Sequence, residues 1–291
     1  LFKKIHFIIN PAAGTDEPVL SYINRAFTNT DVEWNVTVTH GEGEVFAAAK
    51  RQVGKTDLLA VYGGDGSMME AAQALHHSKT PMAVLPGGTA NIMAKELLLP
   101  LDTEEAIRLL LTDNVEIKKI DMGLVNGCPF LLRVNLGILA DMITETTSDM
   151  KEAWGQWAYG ITAFKNMQRE ATMFHLTIDG KEYEQEAVAL TVTNAGNVGK
   201  KGYDFLPGIS ISDGWLDVIA LDKADFMSIL KVTGSVLFKT DSDIMKHWKA
   251  KEIIVRMNEE NPFLRDDILQ KEKKLHIKIS PQSLSVIVPK T

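Results

Sequence analysis

The chain has 291 residues, with 31 Lys plus Arg against 38 Asp plus Glu, a formal net charge of −7. That length suits two domains of roughly 100–200 residues each, and the acid excess argues against wholesale nucleic-acid binding. The one cysteine, Cys128, excludes an intrachain disulfide framework and a cysteine-rich zinc site and is expected to be a small buried hydrophobe.

The first 120 or so residues alternate short apolar runs with helical spacing, a pattern that predicts parallel βαβ units. Ile5–Ile9 reads as a buried strand ending in the turn Asn10-Pro11-Ala12-Ala13-Gly14. A helix is predicted over Val19–Phe27, a strand over Trp34–Thr39 and an alanine-rich helix over Gly43–Gln52. Leu58–Tyr62 is a buried strand leading into Gly63-Gly64-Asp65-Gly66, with a helix over Ser67–His76. Met82–Leu85 repeats the strand and ends in Pro86-Gly87-Gly88-Thr89, before helices at Ile92–Leu98 and Thr103–Leu111.

After Asp121 the pattern changes. Met122–Gly127 reads as a strand with a turn, Trp154–Met167 as a helix, and Phe174–Ile178 with Tyr183–Glu186 as a hairpin about Asp179-Gly180. Ala187–Thr193, Leu216–Leu221, Glu252–Met257, Leu275–Ile279 and Leu284–Val288 are further strands, and the polar stretch Asn258–Lys274 is expected to hold a loop. The expected fold is therefore an α/β domain with a parallel sheet over residues 1–122 and a β-rich sandwich over 123–280. The tail 281–291 is a candidate to pack back on the first domain. No run approaches the roughly 20 apolar residues that span a bilayer. The start, Leu1-Phe2-Lys3-Lys4, lacks a signal-peptide pattern, so a cytoplasmic setting is expected.

Three glycine-bearing turns fall just after strands, where an open α/β sheet places its ligand crevice. Gly63-Gly64-Asp65-Gly66-Ser67 is the strongest: its glycines allow close backbone approach and the following helix offers unpaired N–H groups to phosphate. Asp65 would repel phosphate unless a cation intervenes, which suggests Mg²⁺–nucleotide chemistry or the positioning of a hydroxyl. The plainer alternative is a tight turn with Asp65 capping the helix. Pro86-Gly87-Gly88-Thr89-Ala90-Asn91 repeats the logic, with Thr89 and Asn91 as polar handles.

These motifs, in order, resemble the diacylglycerol kinase catalytic-domain family, particularly its bacterial soluble lipid kinases and the related sphingosine kinases. Asn10–Gly14 resembles the family's opening turn, and Thr39 stands where it has a nucleotide-contacting Thr. Gly63–Ser67 is similar to Gly-Gly-Asp-Gly-Thr, and Pro86–Asn91 to Pro-Gly-Gly-Thr-Ala-Asn. Asp121 opens a segment similar to the family's domain crossover. Trp154-Gly155 to Tyr159 resembles a Gly-x-x-x-Tyr helix, and Asp213-Gly214-Trp215-Leu216-Asp217 resembles Asp-Gly-x-Leu-Asp.

The resemblance implies an NAD-kinase-like first domain and ATP-dependent phosphorylation of a lipid hydroxyl, diacylglycerol-like or sphingoid, with ATP between the domains. Gly63, Gly64, Asp65, Gly66 and Ser67 would hold the phosphates and their Mg²⁺. Asn10, Thr39, Gly87, Gly88, Thr89 and Asn91 would contact the nucleotide, and Asp121 would join the acidic network. Asp213, with the carbonyls of Ser210 and Trp215, resembles a structural metal loop for Mg²⁺ or Ca²⁺, against the alternative of a plain β-turn. A lipid acceptor implies transient contact with the inner membrane surface, and a homodimer stays open.

Three departures stand out. Ile92 replaces an acid after Asn91, and Thr15 replaces a lysine common after the first turn. The family's Asp-Gly-Glu, whose acid is thought to activate the acceptor hydroxyl, aligns with Asp266-Asp267-Ile268, leaving Asp266 or Asp267 as the general base or the stretch as a solvated acidic loop. A kinase for a soluble acceptor, as in NAD kinases or phosphofructokinases, and a catalytically weakened nucleotide- or lipid-binding regulator are the competing readings. Elsewhere, His76-His77 reads as an exposed helix end, and Trp154, Trp157 and Phe164 read as core. Lys200-Lys201 reads as a solvated loop, and the basic segment Asp243–Lys251 as a helix-to-strand connection.

Overall fold

Strand β1 (Lys4–Ile9) is buried at every residue but its first, as expected of an apolar run too short for a helix. The structure, a computed structural model, describes residues 2–12, 17–140, 171–197, 207–222 and 245–290. The helix expected over Trp154–Met167, the Gly155–Tyr159 motif, Lys200-Lys201 and the end of the Asn10–Gly14 turn lie outside the described residues.

The chain forms two units, one of Leu1–Ile120 with Gln282–Thr291 and the other of Asp121–Val198 with Gly202–Pro281. In the first, β1 pairs in parallel with β2 (Glu33–Val38) and with β3 (Leu58–Gly63), and β3 with β4 (Met82–Pro86). Helices α1 (Val19–Phe27), α2 (Glu44–Gln52) and α3 (Asp65–Leu75) link them, as the alternating pattern predicts. Short α4 (Ile92–Glu96) and α5 (Thr103–Leu109) follow. Helix α1 buries Val19, Ile23 and Phe27, four residues apart on one face, and Phe27 meets Phe7 of β1 edge-on at 5.6 Å. The C-terminal tail completes this sheet: Val286 pairs in parallel with Met82, and Ile287 joins the core.

The second unit is antiparallel. Strands β5 (Val115–Val125), which enters it from the first unit, and β6 (Cys128–Phe130) form a hairpin about Asn126-Gly127. Strands β7 (Arg133–Gly137), β10 (Ala189–Thr193), β11 (Leu216–Leu221) and β12 (Lys246–Ala250) stand side by side in the order β7-β10-β11-β12. The hairpin β8 (Thr172–Ile178) and β9 (Lys181–Ala187) pairs with β13 (Glu252–Arg265). Strand β13 pairs with β8 before an irregularity between Arg256 and Asn261 and with β7 after it, the way a strand passes from one layer of a sandwich to the other. Phe130, Leu136, Phe174, Leu190, Val218, Val255, Phe263 and Ile277 lie in the shared core.

Three expectations need correction. Asn258–Lys274 is not a loop: β13 runs to Arg265 and β14 (Ile268–Pro289) starts three residues later, so the stretch is a paired hairpin. Its charged side chains mask the alternation that periodicity relies on. Cys128 is exposed, because it opens β6 directly after a two-residue turn. Lys246–Ala250, inside the segment read as a connection, is strand β12 against β11.

Candidate active site

Register sets the first unit's site. Ile9 stands opposite Tyr62 and Gly63 opposite Pro86, so β1, β3 and β4 end together. The ladder continues past the strands through Asn10 N–H to Tyr62 O at 3.0 Å, Thr39 N–H to Ile9 O at 2.9 Å and Gly87 N–H to Gly63 O at 2.9 Å. Asn10, Thr39, Gly63–Ser67 and Pro86–Asn91 therefore share one edge of the parallel sheet.

The glycines there make close packing feasible. A Cβ on Gly88 would lie 2.6 Å from Gly64 Cα, and one on Gly87 would lie 2.6 Å from the Tyr62 ring. Helix α3 starts at Asp65, and its first helical bond runs from Met68 N–H to Gly64 O. The N–H groups before Met68 precede that ladder and carry the positive end of the helix dipole. Ser67 is buried, and its hydroxyl accepts a 2.9 Å hydrogen bond from Asn10 Nδ2. Thr39 is buried, whereas Thr89 is exposed at the tip of its turn.

The Asp65 side chain reaches across to a second helix. Its Oδ2 accepts from Ile92 N–H and its Oδ1 from Met93 N–H, each at 3.1 Å, so it caps the start of α4. Asn91, in the left-handed region at φ 48°, closes the second turn on itself: Gly88 N–H donates to its Oδ1 at 2.8 Å and its Nδ2 donates to Gly88 O at 2.7 Å. Motif matching missed Lys95. Its ammonium donates to Ala90 O; burial pulls its pKa down, while the Asp65 carboxylate pushes it back up. A lysine one helical turn beyond Asn91 was the available signal. Glu70 of α3 was also missed, and it accepts from Gly43 N–H and Phe46 N–H, both at 3.0 Å, at the start of α2.

In the second unit, Asp121 is fully buried. Its N–H donates to Ile211 O and its Oδ2 accepts from Gly214 N–H at 2.7 Å. Buried Asn194 donates to Asp121 O and to Leu131 O. Asp121 and the Asp213-Gly214 turn thus form one cluster. Asp213 Oδ1 accepts from Trp215 N–H at 3.1 Å, and Ser210 Oγ accepts from Ser212 N–H at 3.4 Å. Asp217, at the end of the same motif, is buried with Oδ1 2.6 Å from His247 Nε2.

The loop does not fit the divalent cation that the resemblance puts there. Lys249 Nζ lies 2.7 Å from Asp213 Oδ2 and 3.2 Å from Gly208 O, so an ammonium already sits on the carboxylate. Among the described residues, no group of three or more His, Cys, Asp or Glu could hold a metal ion.

Asp266 is buried in the β13–β14 turn at φ 51°. Its carboxylate accepts from the N–H groups of Leu131, Leu132 and Arg133 at 2.8, 2.8 and 2.9 Å. Burial pushes its pKa up against those bonds, which pull it down. Asp267, next in the turn, is exposed.

Residues 4–125 match the model of the diacylglycerol kinase catalytic domain, and residues 133–288 match the YegS C-terminal NAD kinase beta sandwich-like domain. The chain is 28% identical to the diacylglycerol kinase of Bacillus subtilis (strain 168), over 81% of this chain and 79% of that protein. It is 26% identical to that of Staphylococcus haemolyticus, over 78% and 70%. Two crystal structures from Bacillus anthracis str. Sterne superpose with TM-scores of 0.84 and 0.75 at 25% and 24% identity, each match covering 98% of this chain and 96% of theirs. No helix of the described residues is long and apolar enough to cross a membrane. The chain belongs to the diacylglycerol kinase catalytic-domain family, with the YegS-type sandwich as its second domain, and is in coarse terms a lipid-kinase-like enzyme.

Proposed function

We propose that this protein transfers the γ-phosphate of ATP to a hydroxyl of a lipid, diacylglycerol-like or sphingoid. The observation that carries this reading is Asp65, which stands at the N-terminus of α3 and ties it to the backbone at the start of α4, directly after the second glycine turn. Phosphoryl transfer depends on positioning and charge neutralisation, and this arrangement would serve the first directly and the second through a bound cation. The N–H groups of Asp65, Gly66 and Ser67 at the dipole's positive end would bind phosphate oxygens. Gly63, Gly64, Gly87 and Gly88 would keep side chains out of the way. Asn10, Thr39, Thr89 and Asn91 would contact the nucleotide, with Lys95 adding positive charge.

Asp65 and the Ser67 hydroxyl are the hard-oxygen donors beside this turn, the type Mg²⁺ prefers. Mg²⁺, when bound with the nucleotide, would neutralise phosphate charge. For the acceptor, Asp267 is the better candidate base of the pair, since the Asp266 carboxylate accepts three backbone N–H bonds. A lipid acceptor would bring the protein to the membrane surface.

The test is transfer of label from radiolabelled ATP with Mg²⁺ to a panel of diacylglycerols, phosphatidylglycerol, sphingoid bases and ceramide. Labelled lipid extracted into organic solvent is expected. ATP binding without labelled lipid from any acceptor would overturn the reading.

A further inference from the structure

The turn at Asp213 gathers oxygen atoms around one point. Asp213 Oδ2 lies 2.7 Å from Lys249 Nζ, and Gly208 O lies 3.2 Å from the same nitrogen. A carboxylate and a backbone carbonyl converging in this way form the kind of cradle that hard cations use. Here the cation is covalently part of the protein, delivered by strand β12.

Its delivery is fixed by register. Lys249 stands opposite Asp217 in the antiparallel β11–β12 pair, and the preceding turn leads directly into β11. Two residues on, the Lys251 ammonium lies 4.6 Å from the centre of the Trp215 ring. Two lysines of one strand end therefore hold the Asp213–Trp215 turn, one by a charged hydrogen bond and one over an aromatic face. From the other side, Asp121 holds the Gly214 N–H.

A divalent cation at this carboxylate would have to displace Lys249 or bind against its charge. We infer that Lys249 is a tethered cation that takes the place of a structural metal ion in the 208–215 turn and makes this turn independent of divalent cations. A turn held this way keeps its order at any Mg²⁺ or Ca²⁺ concentration. Any divalent requirement of the protein then belongs to the nucleotide alone.

The test is made on the full chain without nucleotide or lipid, so it stands or falls separately from the kinase reading. Thermal unfolding and tryptophan fluorescence are recorded in EDTA, in 5 mM Mg²⁺ and in 5 mM Ca²⁺. The wild type is expected to give the same midpoint and spectrum in all three. Lys249→Met leaves Asp213 uncompensated, and its midpoint is expected to fall by about 2–4 °C in EDTA. Ca²⁺ or Mg²⁺ should recover part of that fall, and Lys249→Met with Asp213→Asn should lose the recovery. Lys249→Arg should behave as the wild type. A wild-type midpoint that drops in EDTA and returns with either ion would overturn the inference, and that arm needs no variant to fold. A Lys249→Met protein indifferent to both ions at an unchanged midpoint would overturn it too.

Discussion

The buried carboxylate of Asp121 accepts a 2.7 Å hydrogen bond from the backbone N–H of Gly214. Gly214 holds φ +77°, a conformation that side-chain-bearing residues rarely adopt, with open space where a Cβ would stand. Two variants separate these contributions. Asp121→Ala removes a charged acceptor and should destabilise the protein by about 1.5–3 kcal/mol. Gly214→Ala meets no atoms, so its cost should be the backbone term alone, about 1–2 kcal/mol. Denaturant titration of both variants checks the order; a larger loss for Gly214→Ala would mean that the turn, not the carboxylate, organises the cluster.

Asp65 has two separable duties. It caps α4 through Ile92 and Met93, and in the proposed function it handles the nucleotide's charge. Asp65→Ala should cost about 1 kcal/mol of stability, as expected for a lost cap. Phosphoryl transfer should fall far more, by at least ~100-fold, since the carboxylate that would hold the charge-neutralising Mg²⁺ is removed. Asp65→Asn keeps one acceptor and should recover most of the stability but little of the rate. Comparing midpoints with single-turnover rates tests this; equal recovery of both would remove Asp65 from the chemistry.

Gly88→Ala should be among the most damaging small substitutions in the first unit. The new methyl would meet backbone at 2.6 Å, and backbone cannot rotate away. Gly41→Ala is the control, because its Cβ would rest 3.6 Å from the Glu44 carboxylate, an ordinary contact. Nucleotide affinity by calorimetry should drop for Gly88→Ala and stay unchanged for Gly41→Ala.

His6 supplies a pH prediction. Its ring is buried, with Nε2 2.9 Å from Thr37 Oγ1. Burial holds its pKa below the ordinary 6.5, and Arg51 and Lys4 push in the same direction. The folded state therefore binds this proton less tightly than the unfolded chain. The stabilising contribution is complete above pH 6.5 and is lost as pH falls below that value toward the folded pKa. His6→Gln should flatten this part of the stability profile, measured by denaturant unfolding from pH 7.5 to 5. An unchanged slope would assign the acid sensitivity to other groups.

The α/β half was legible because each signal was local. Apolar runs, glycine turns and helical spacing each fit within about ten residues, and β1 to α3 fall within a residue or two of the sequence reading. What stayed hidden depends on distant partners. Asp266 reads as one acid of a polar stretch, yet its side chain fastens residues 131–133 from 133–135 positions away. Lys249 looked like one lysine of a basic segment until β12 laid it on Asp213. Glu70 sits on a helix whose own pattern is complete without it, and only packing reveals that it caps α2. A side chain's local spacing says which element it rides on, whereas its hydrogen-bond partner is set by the fold.

The return of the tail has a consequence for the order of synthesis. Among the described residues, strand β4 obtains its outer neighbour only from residues near Val286, and His77 N–H finds its acceptor in Ser283 O. A ribosome adds about 5–20 residues per second from the N-terminus. Through all the time that the second unit is being made, the nascent first unit carries β4 with one side of its backbone unpaired, an invitation to foreign strands. The first unit is thus completed only by residues that follow the whole second unit in the chain.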